Sequence, residues 1–322
     1  MEKKIKKARV IYNPTSGQEI IKKNIAEVLD VLEDVGYETS AYQTTPEPLS
    51  AQLEAERAAK AGFDLIIAAG GDGTINEVVN GVASLEHRPK MAFIPTGTTN
   101  DYARALKIPM GDPVAAARII KKNQTIQMDI GRAYGSKYFI NIAAAGTLSE
   151  LTFSVPSEVK SRYGYFAYVA EGVKKFPKNK TRKVRIEHDN GVYVGPVSLV
   201  FVALTNSIGG FESVAPDAKL DDGNFTLILV KTAKLFDMLS LIMQAVNGGK
   251  HVKDSNIEYL KTSKLKIEVL DKKEEFKINL DGEYGGDTPV ELEVFHNHLE
   301  FFANIDEIND DALVHSEYKS EE

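Results

Sequence analysis

The stretch LIIAAGGDGTINEVVNG, residues 65–81, decides the fold. Its first half, Leu65 to Ala69, is a continuous aliphatic run, as a parallel strand buried on both faces requires. Its second half places Ile75, Val78 and Val79, and then Val82 just beyond, at the spacing of one helix face. Between the two stand Gly70, Gly71, Asp72, Gly73 and Thr74. A strand-to-helix turn needs one glycine or two. Three around a single acid imply that another group comes very close to the backbone.

Outward from that stretch, strands and helices alternate through about residue 125. The run ARVIYN (8–13) leads to a segment where Ile20, Ile21, Ile25, Val28, Leu29, Leu32 and Val35 recur at helical spacing until Gly36. ETSAYQT (38–44) reads as a second strand and PLSAQLEAERAAKAG (48–62) as a second helix. KMAFIP (90–95) reads as a fourth strand, followed by helices over Thr98–Leu106 and Pro113–Lys122. This alternation implies right-handed βαβ units and an open parallel sheet.

After about Gln127 the segments are short and strand-like. They are KYFINIAAAG (137–146), a long run over 182–205, NFTLILVK (224–231), KLKIEVLD (264–271), EEFKINLDG (274–282), PVELEVFH (289–296) and LEFFAN (299–304). Asp189-Asn190-Gly191 signals a hairpin. Helical patterns interrupt at 163–176 and 234–249. The expectation is an α/β domain over 1–126, completed by 304–322, joined to a β-sandwich domain over 127–303.

A chain of 322 residues exceeds what one compact core usually holds, which agrees with two domains. There is no cysteine, so disulfides and thiolate metal sites are excluded, and a reducing, cytoplasmic setting is expected. No stretch approaches the roughly 18 apolar residues of a membrane span. The net charge of −7 argues against a nucleic-acid binder. Charge is nevertheless segregated: residues 159–185 carry nine Lys and Arg against the single acid Glu171, and the tail after Asn304 is acidic.

Three loops follow strands of the first domain: Asn13-Pro14-Thr15-Ser16-Gly17, Gly70 to Thr74, and Pro95 to Asp101. Each opens a helix, where N–H groups and the helix dipole favour an anion, so together they read as a polyphosphate cradle. The Walker pattern is absent, and the dinucleotide fingerprint fails because Asn76 stands where its last glycine belongs.

GGDGTINEVVNG, together with YNPTSG and PTGTTNDYARAL, resembles the diacylglycerol-kinase catalytic domain. The similarity is greatest to the soluble kinases of Gram-positive bacteria, relatives of sphingosine and ceramide kinases. The GGDGT turn by itself also resembles NAD kinases and phosphofructokinases. The resemblance implies ATP as phosphoryl donor, a lipid hydroxyl as acceptor, a homodimer, and an active site between the two domains. It assigns nucleotide contact to Asn13, Pro14, Thr15, Ser16, Gly17, Thr44, Gly70, Gly71, Asp72, Gly73, Thr74, Ile75, Asn76, Glu77 and Thr98. Asp72 would act electrostatically near metal-bound phosphates, and Asn100 and Asp101 match the family's third motif.

In the second domain, NLDGEYGG places Asp281 and Glu283 around Gly282 at a strand end. From composition it reads equally as a charged hairpin turn. The resemblance makes Glu283 the catalytic base and Asp281 a partner that positions metal or water. In APDAKLDDGNFTLILV, acids beside a glycine suit a hard cation or a solvated turn. The resemblance implies a structural Mg²⁺ here, on the Asp222 carboxylate and the Lys219 and Asn224 carbonyls, with a second Mg²⁺ arriving with ATP. His296 and His298 could share a strand face, without a third ligand nearby.

The basic segment 159–185 is interleaved with Tyr163, Tyr165, Phe166, Tyr168 and Phe176. It reads either as a reversible contact with anionic lipid at the inner face of the cell membrane or as core-facing aromatics beside solvated charge. The expected product is phosphatidic acid from 1,2-diacylglycerol. Rival readings are a kinase of another lipid alcohol, an NAD or sugar kinase, and a catalytically silent regulator.

Overall fold

The computed structural model describes residues 5–146, 181–207, 214–246, 248–271 and 276–314. The basic-aromatic stretch 159–180 and the acidic tail from 315 lie outside the described residues. The chain divides into two compact units: residues 1–128 with 297–322, and residues 129–296.

The first unit is built on strands β1 (Lys6–Tyr12), β2 (Tyr37–Gln43), β3 (Leu65–Gly70) and β4 (Lys90–Pro95). All pair in parallel, in the order β2-β1-β3-β4. The central strand β3 is buried at every residue, which accounts for its unbroken aliphatic sequence. Helix α1 (Ile20–Asp34) buries Ile21, Val28, Val31 and Leu32. Each such side chain taken fully from water stabilises by about 2 kcal/mol. Helices α2 (Ser50–Lys60) and α3 (Asp72–Val82) approach closely because Gly81 has no side chain. A Cβ at Gly81 would stand 2.3 Å from the Gln52 carbonyl.

Two expected helices differ. The one placed at Thr98–Leu106 is α4 (Asp101–Ala105). It starts late because Asn100, at φ 48°, folds its side chain back onto Gly97. The one placed at Pro113–Lys122 is α5 (Pro113–Arg118), which tightens into a 3₁₀ turn over Ile119–Lys122.

The second unit is a sandwich. The chain enters it within β5 (Thr125–Ala133), which pairs with β6 (Lys137–Phe139). One face comprises β9 (Gly191–Val197), β8 (Arg182–His188), β13 (Lys264–Val269) and the first part of β16 (Val290–Phe302), paired in that order. The other runs β12 (Ile257–Thr262), β11 (Phe225–Val230), β10 (Leu199–Ala203), β7 (Ile142–Gly146), β14 (Lys277–Leu280), β15 (Glu283–Asp287). Val184, Ile186, Leu265, Ile267 and Leu292 of the first sheet meet Ala143, Val202, Phe225, Leu227 and Ile278 of the second in one buried core. On the second sheet's outer face, a smaller cluster of Leu199, Ala203, Ile228, Val230 and Ile257 is covered by Leu241 of helix α6 (Leu235–Val246).

Asp189-Asn190 forms the expected two-residue hairpin, with His188 opposite Gly191. PVELEVFH and LEFFAN, read as two strands, are one: β16 continues through Asn297 at φ 49°, and the division between units falls inside it.

Candidate functional site

The three glycine-bearing loops converge at the carboxyl ends of β1, β3 and β4. In the order β2-β1-β3-β4 the connection leaving β1 runs to β2 on one side and the connection leaving β3 runs to β4 on the other, so a topological switch point falls between β1 and β3, where open α/β sheets take ligands. The Asn13 N–H donates to the Ala69 carbonyl across that point at 2.9 Å, and the Thr96 N–H donates to the Gly70 carbonyl at 2.8 Å. Thr44, at the end of β2, is held by its N–H on the Tyr12 carbonyl at 2.9 Å.

Glycine is required here for two reasons, and one of them is internal packing. A Cβ on Gly17 would stand 2.1 Å from the Thr96 carbonyl, and one on Gly97 would stand 2.6 Å from the Gly71 Cα. On Gly70 it would collide with the Thr74 side chain. These residues let three loops lie against one another. Gly73 is different: a Cβ there meets nothing within 4 Å, and its φ is ordinary. Among the described residues no atom demands glycine at this position, in the first turn of α3. The space over it suits close approach of an external group to the main chain.

The first loop stores backbone strain. Gly17, Gln18 and Glu19 stand in succession at φ 55°, 57° and 64°. The two side-chain-bearing residues each cost about 1–2 kcal/mol in this left-handed region, and such strain concentrates at functional sites. The Asn13 carboxamide oxygen accepts from the Thr15 N–H at 3.0 Å and the Thr15 hydroxyl at 2.9 Å, which fixes the turn. Pro14 and Ser16 are half-buried beside it.

Asp72 is the first residue of α3, where the helix dipole favours its charge. Its Oδ2 accepts the Asn100 N–H at 2.8 Å, tying the second loop to the third. The Thr74 and Ile75 N–H groups donate to the Gly71 carbonyl at 3.0 and 3.2 Å. Ile75 is fully buried, so its side chain belongs to the core. Asn76 is joined to Asn80 through side chain and main chain. The Glu77 carboxylate accepts the Ala51 N–H at 3.0 Å, at the start of α2. Thr98 is exposed, while the neighbouring Thr96 is buried with its hydroxyl without a hydrogen-bond partner.

In the second unit, Leu280 pairs with Glu283 across a two-residue turn formed by Asp281 at φ 50° and Gly282 at φ 99°. Both positive angles belong to the tight hairpin turn that Asp-Gly favours. The Asp281 carboxylate, assigned a metal- or water-positioning role from the sequence, accepts three main-chain N–H groups: Ile140 at 2.8 Å, and Asn141 and Ile142 at 2.9 Å. Its own N–H donates to the Ile142 carbonyl at 2.9 Å. The Asn279 side chain accepts the Gly282 N–H at 2.8 Å. Glu283, the first residue of β15, is exposed on this clamped turn.

Around the proposed cation site, Asp222 Oδ1 accepts the Asn224 N–H at 2.9 Å and Oδ2 lies 3.0 Å from the Lys261 ammonium. Buried Asp129 grips the same loop twice, its N–H on the Leu220 carbonyl at 2.9 Å and its Oδ2 on the Gly223 N–H at 2.6 Å. Its Oδ1 takes the His296 ring at 2.9 Å. His298 contacts the Ala83 carbonyl instead, so the two histidines have separate partners. Among the described residues, no group of three or more His, Cys, Asp or Glu side chains is placed to hold a metal. A site here would use one carboxylate and main-chain oxygens. Asp129 and Lys261 were not singled out in the sequence, because each acts through a fold contact with no local motif.

Residues 7–133 match the diacylglycerol kinase catalytic domain, and residues 150–303 match the YegS C-terminal NAD kinase beta sandwich-like domain. A diacylglycerol kinase of Bacillus subtilis (strain 168) is 47% identical over 295 residues, covering 92% of this chain and 95% of that protein. One from Staphylococcus haemolyticus is 47% identical over 293 residues, covering 91% of this chain and 87% of the relative. A solved diacylglycerol kinase structure from Bacillus anthracis (strain Sterne) superposes with a TM-score of 0.74 at 27% identity, covering 94% of this chain and 98% of the other.

Proposed function

Because this chain belongs to the diacylglycerol kinase family, we propose that it transfers the γ-phosphoryl group of ATP to the free hydroxyl of a 1,2-diacylglycerol, giving phosphatidic acid. The observation that carries the donor side is Gly73. It lies at the switch point, in the first turn of α3, and among the described residues nothing packs where its side chain would stand. A triphosphate lying over that turn would meet main-chain N–H groups and the helix dipole, with hydroxyls from Thr15, Ser16 and Thr98 alongside.

Phosphoryl transfer asks the protein chiefly to position reactants and neutralise charge. The loops of the first unit serve the donor. Glu283 serves the acceptor: its carboxylate takes the hydroxyl proton as the oxygen bonds to the γ-phosphorus. The bond from that phosphorus to the β–γ bridging oxygen breaks, and ADP leaves with the electron pair. Asp281 acts as a positioning residue, holding the turn that presents Glu283. Mg²⁺ bound with ATP supplies charge neutralisation at the phosphates.

The all-oxygen donor set of the Asp222 carboxylate and the Lys219 and Asn224 carbonyls fits a hard cation. Each Asp222 oxygen keeps a lone pair beyond its present partner. We assign those three residues to a structural Mg²⁺. The acceptor is a membrane lipid, so the protein works as a peripheral protein at an anionic surface. Among the described residues no helix is long and apolar enough to cross a membrane.

Glu283→Gln tests the assignment. It should abolish lipid phosphorylation while ATP binding, followed by calorimetry, stays near wild type. Near-normal turnover in this variant would remove Glu283 as the base.

A further inference from the structure

Helix α6 has the sequence LFDMLSLIMQAV, with Asp237 as its sole charged residue. One face is accounted for: Met238 and Leu241 are buried, the latter against the outer face of the second sheet. Among the described residues, the opposite face has no such cover. Phe236 is 84% exposed and Met243 is 59% exposed, the two largest exposures among the described large apolar side chains except Ile5 and Leu53. They stand seven residues apart, two turns along one side of the helix, with exposed Ser240 between them. Exposed apolar side chains in register on one helix face mark a contact surface rather than scattered surface residues.

The charge around this face is cationic and outward. Lys234 precedes the helix, and Lys250 and Lys253 follow in the next 3₁₀ turn, all three exposed. The nearby acids are engaged internally. Asp237 accepts the Thr232 hydroxyl at 3.0 Å, Asp254 accepts the Asn256 N–H at 2.9 Å, and Glu258 lies 3.3 Å from Lys231. An apolar strip with lysines at both ends matches an anionic bilayer, where apolar side chains sink below the headgroups and ammonium groups stay among them.

We infer that the outward face of α6, through Phe236 and Met243 with Lys234, Lys250 and Lys253, docks this kinase on an anionic lipid surface. The inference rests on the reading of the acceptor as a membrane lipid. A second copy of the chain suits the face less well. A two-fold contact brings the same patch from both partners together, which would set the lysines of one copy against those of the other.

The test uses the full chain with vesicles of phosphatidylglycerol and phosphatidylcholine, or of phosphatidylcholine alone, read by co-sedimentation. Turnover is read in parallel on a short-chain diacylglycerol dissolved as monomer. Wild type should pellet with anionic vesicles only. Phe236→Ser with Met243→Ser should weaken pelleting by tenfold or more, because burial of either apolar side chain contributes about that factor. Lys234→Gln with Lys250→Gln should weaken it by roughly fivefold per charge. Thermal melting and turnover on the soluble substrate should stay at wild-type values in both variants. If the serine variant pellets like wild type, α6 is not the docking face and the membrane reading survives. If wild type binds neither vesicle yet phosphorylates the soluble substrate, the membrane reading fails and takes the docking face with it. If the serine variant keeps pelleting but changes from dimer to monomer in light scattering, the face joins copies and the inference is overturned.

Discussion

Removing the Asp281 carboxylate should damage catalysis through architecture. Three main-chain donors, from Ile140, Asn141 and Ile142, converge on its two oxygens at 2.8–2.9 Å. Ile140 and Asn141 are buried, so the donors cannot readily turn to water. Each bond to a charged acceptor is worth about 1.5–3 kcal/mol, and three on one group are less than additive. Asp281 also stands at φ 50°, which alanine tolerates at a cost of about 1 kcal/mol. Asp281→Ala should therefore destabilise the protein by about 4–5 kcal/mol. Asp281→Asn keeps one acceptor oxygen and the favourable turn preference, but sets its NH₂ group against a donor. It should lose about 2 kcal/mol. The assay is urea denaturation of both variants, followed by steady-state kinetics at a temperature where each is folded. Because Glu283 follows two residues later on the same turn, kcat should fall at least tenfold in the Asn variant while KM for ATP holds. A wild-type unfolding midpoint for Asp281→Ala would refute the reasoning outright. So would an Asn variant less stable than the Ala variant.

The two kinds of glycine should separate. Gly97→Ala forces a Cβ to 2.6 Å from the Gly71 Cα and should destabilise by about 1–3 kcal/mol, whereas Gly73→Ala should leave the melting temperature unchanged or raised and instead increase KM for ATP at least tenfold. Asp222→Ala should abolish the difference in melting temperature between Mg²⁺ and EDTA, and Lys261→Met, which removes the ammonium 3.0 Å from Asp222, should enlarge it. An EDTA-insensitive wild type would dismiss the structural cation. Burial pushes the Glu54 carboxyl up, but hydrogen bonds from Arg57 and Arg9 outweigh it and hold the group below its ordinary value. Its contribution is therefore complete above the unfolded value of about 4.3 and is lost as pH falls through the lower folded value. Glu54→Gln should flatten the stability profile below about pH 5, as measured by denaturation across pH.

Much of the first unit is legible in the residues because its signals are local. A both-face-buried strand needs Leu65–Ala69 to be aliphatic throughout, and a helix with one covered face needs Val28 and Leu32 at their spacing. Where the conformation of a single residue sets a boundary, the sequence misleads. Helix α4 begins three residues late because the Asn100 side chain locks the preceding turn, and β16 runs unbroken because Asn297 takes a positive φ in place of a loop.

The same distinction divides the candidate site. Gly70, Gly71, Gly73 and Asp72 announce a close approach of something to the backbone, since no other residue types would be needed for that reason alone. Which glycine serves packing and which is left for a ligand is settled only when Gly97 comes to rest against Gly71 while the space over Gly73 stays open. Asp281 and Glu283 look alike as two acids flanking a glycine. Folding separates them, because residues 140–142 arrive from far away in the chain to fill one carboxylate with hydrogen bonds and leave the other exposed. Residue type and spacing determine what a segment can form by itself. The partner of each polar group depends on which remote backbone the fold brings within hydrogen-bonding distance.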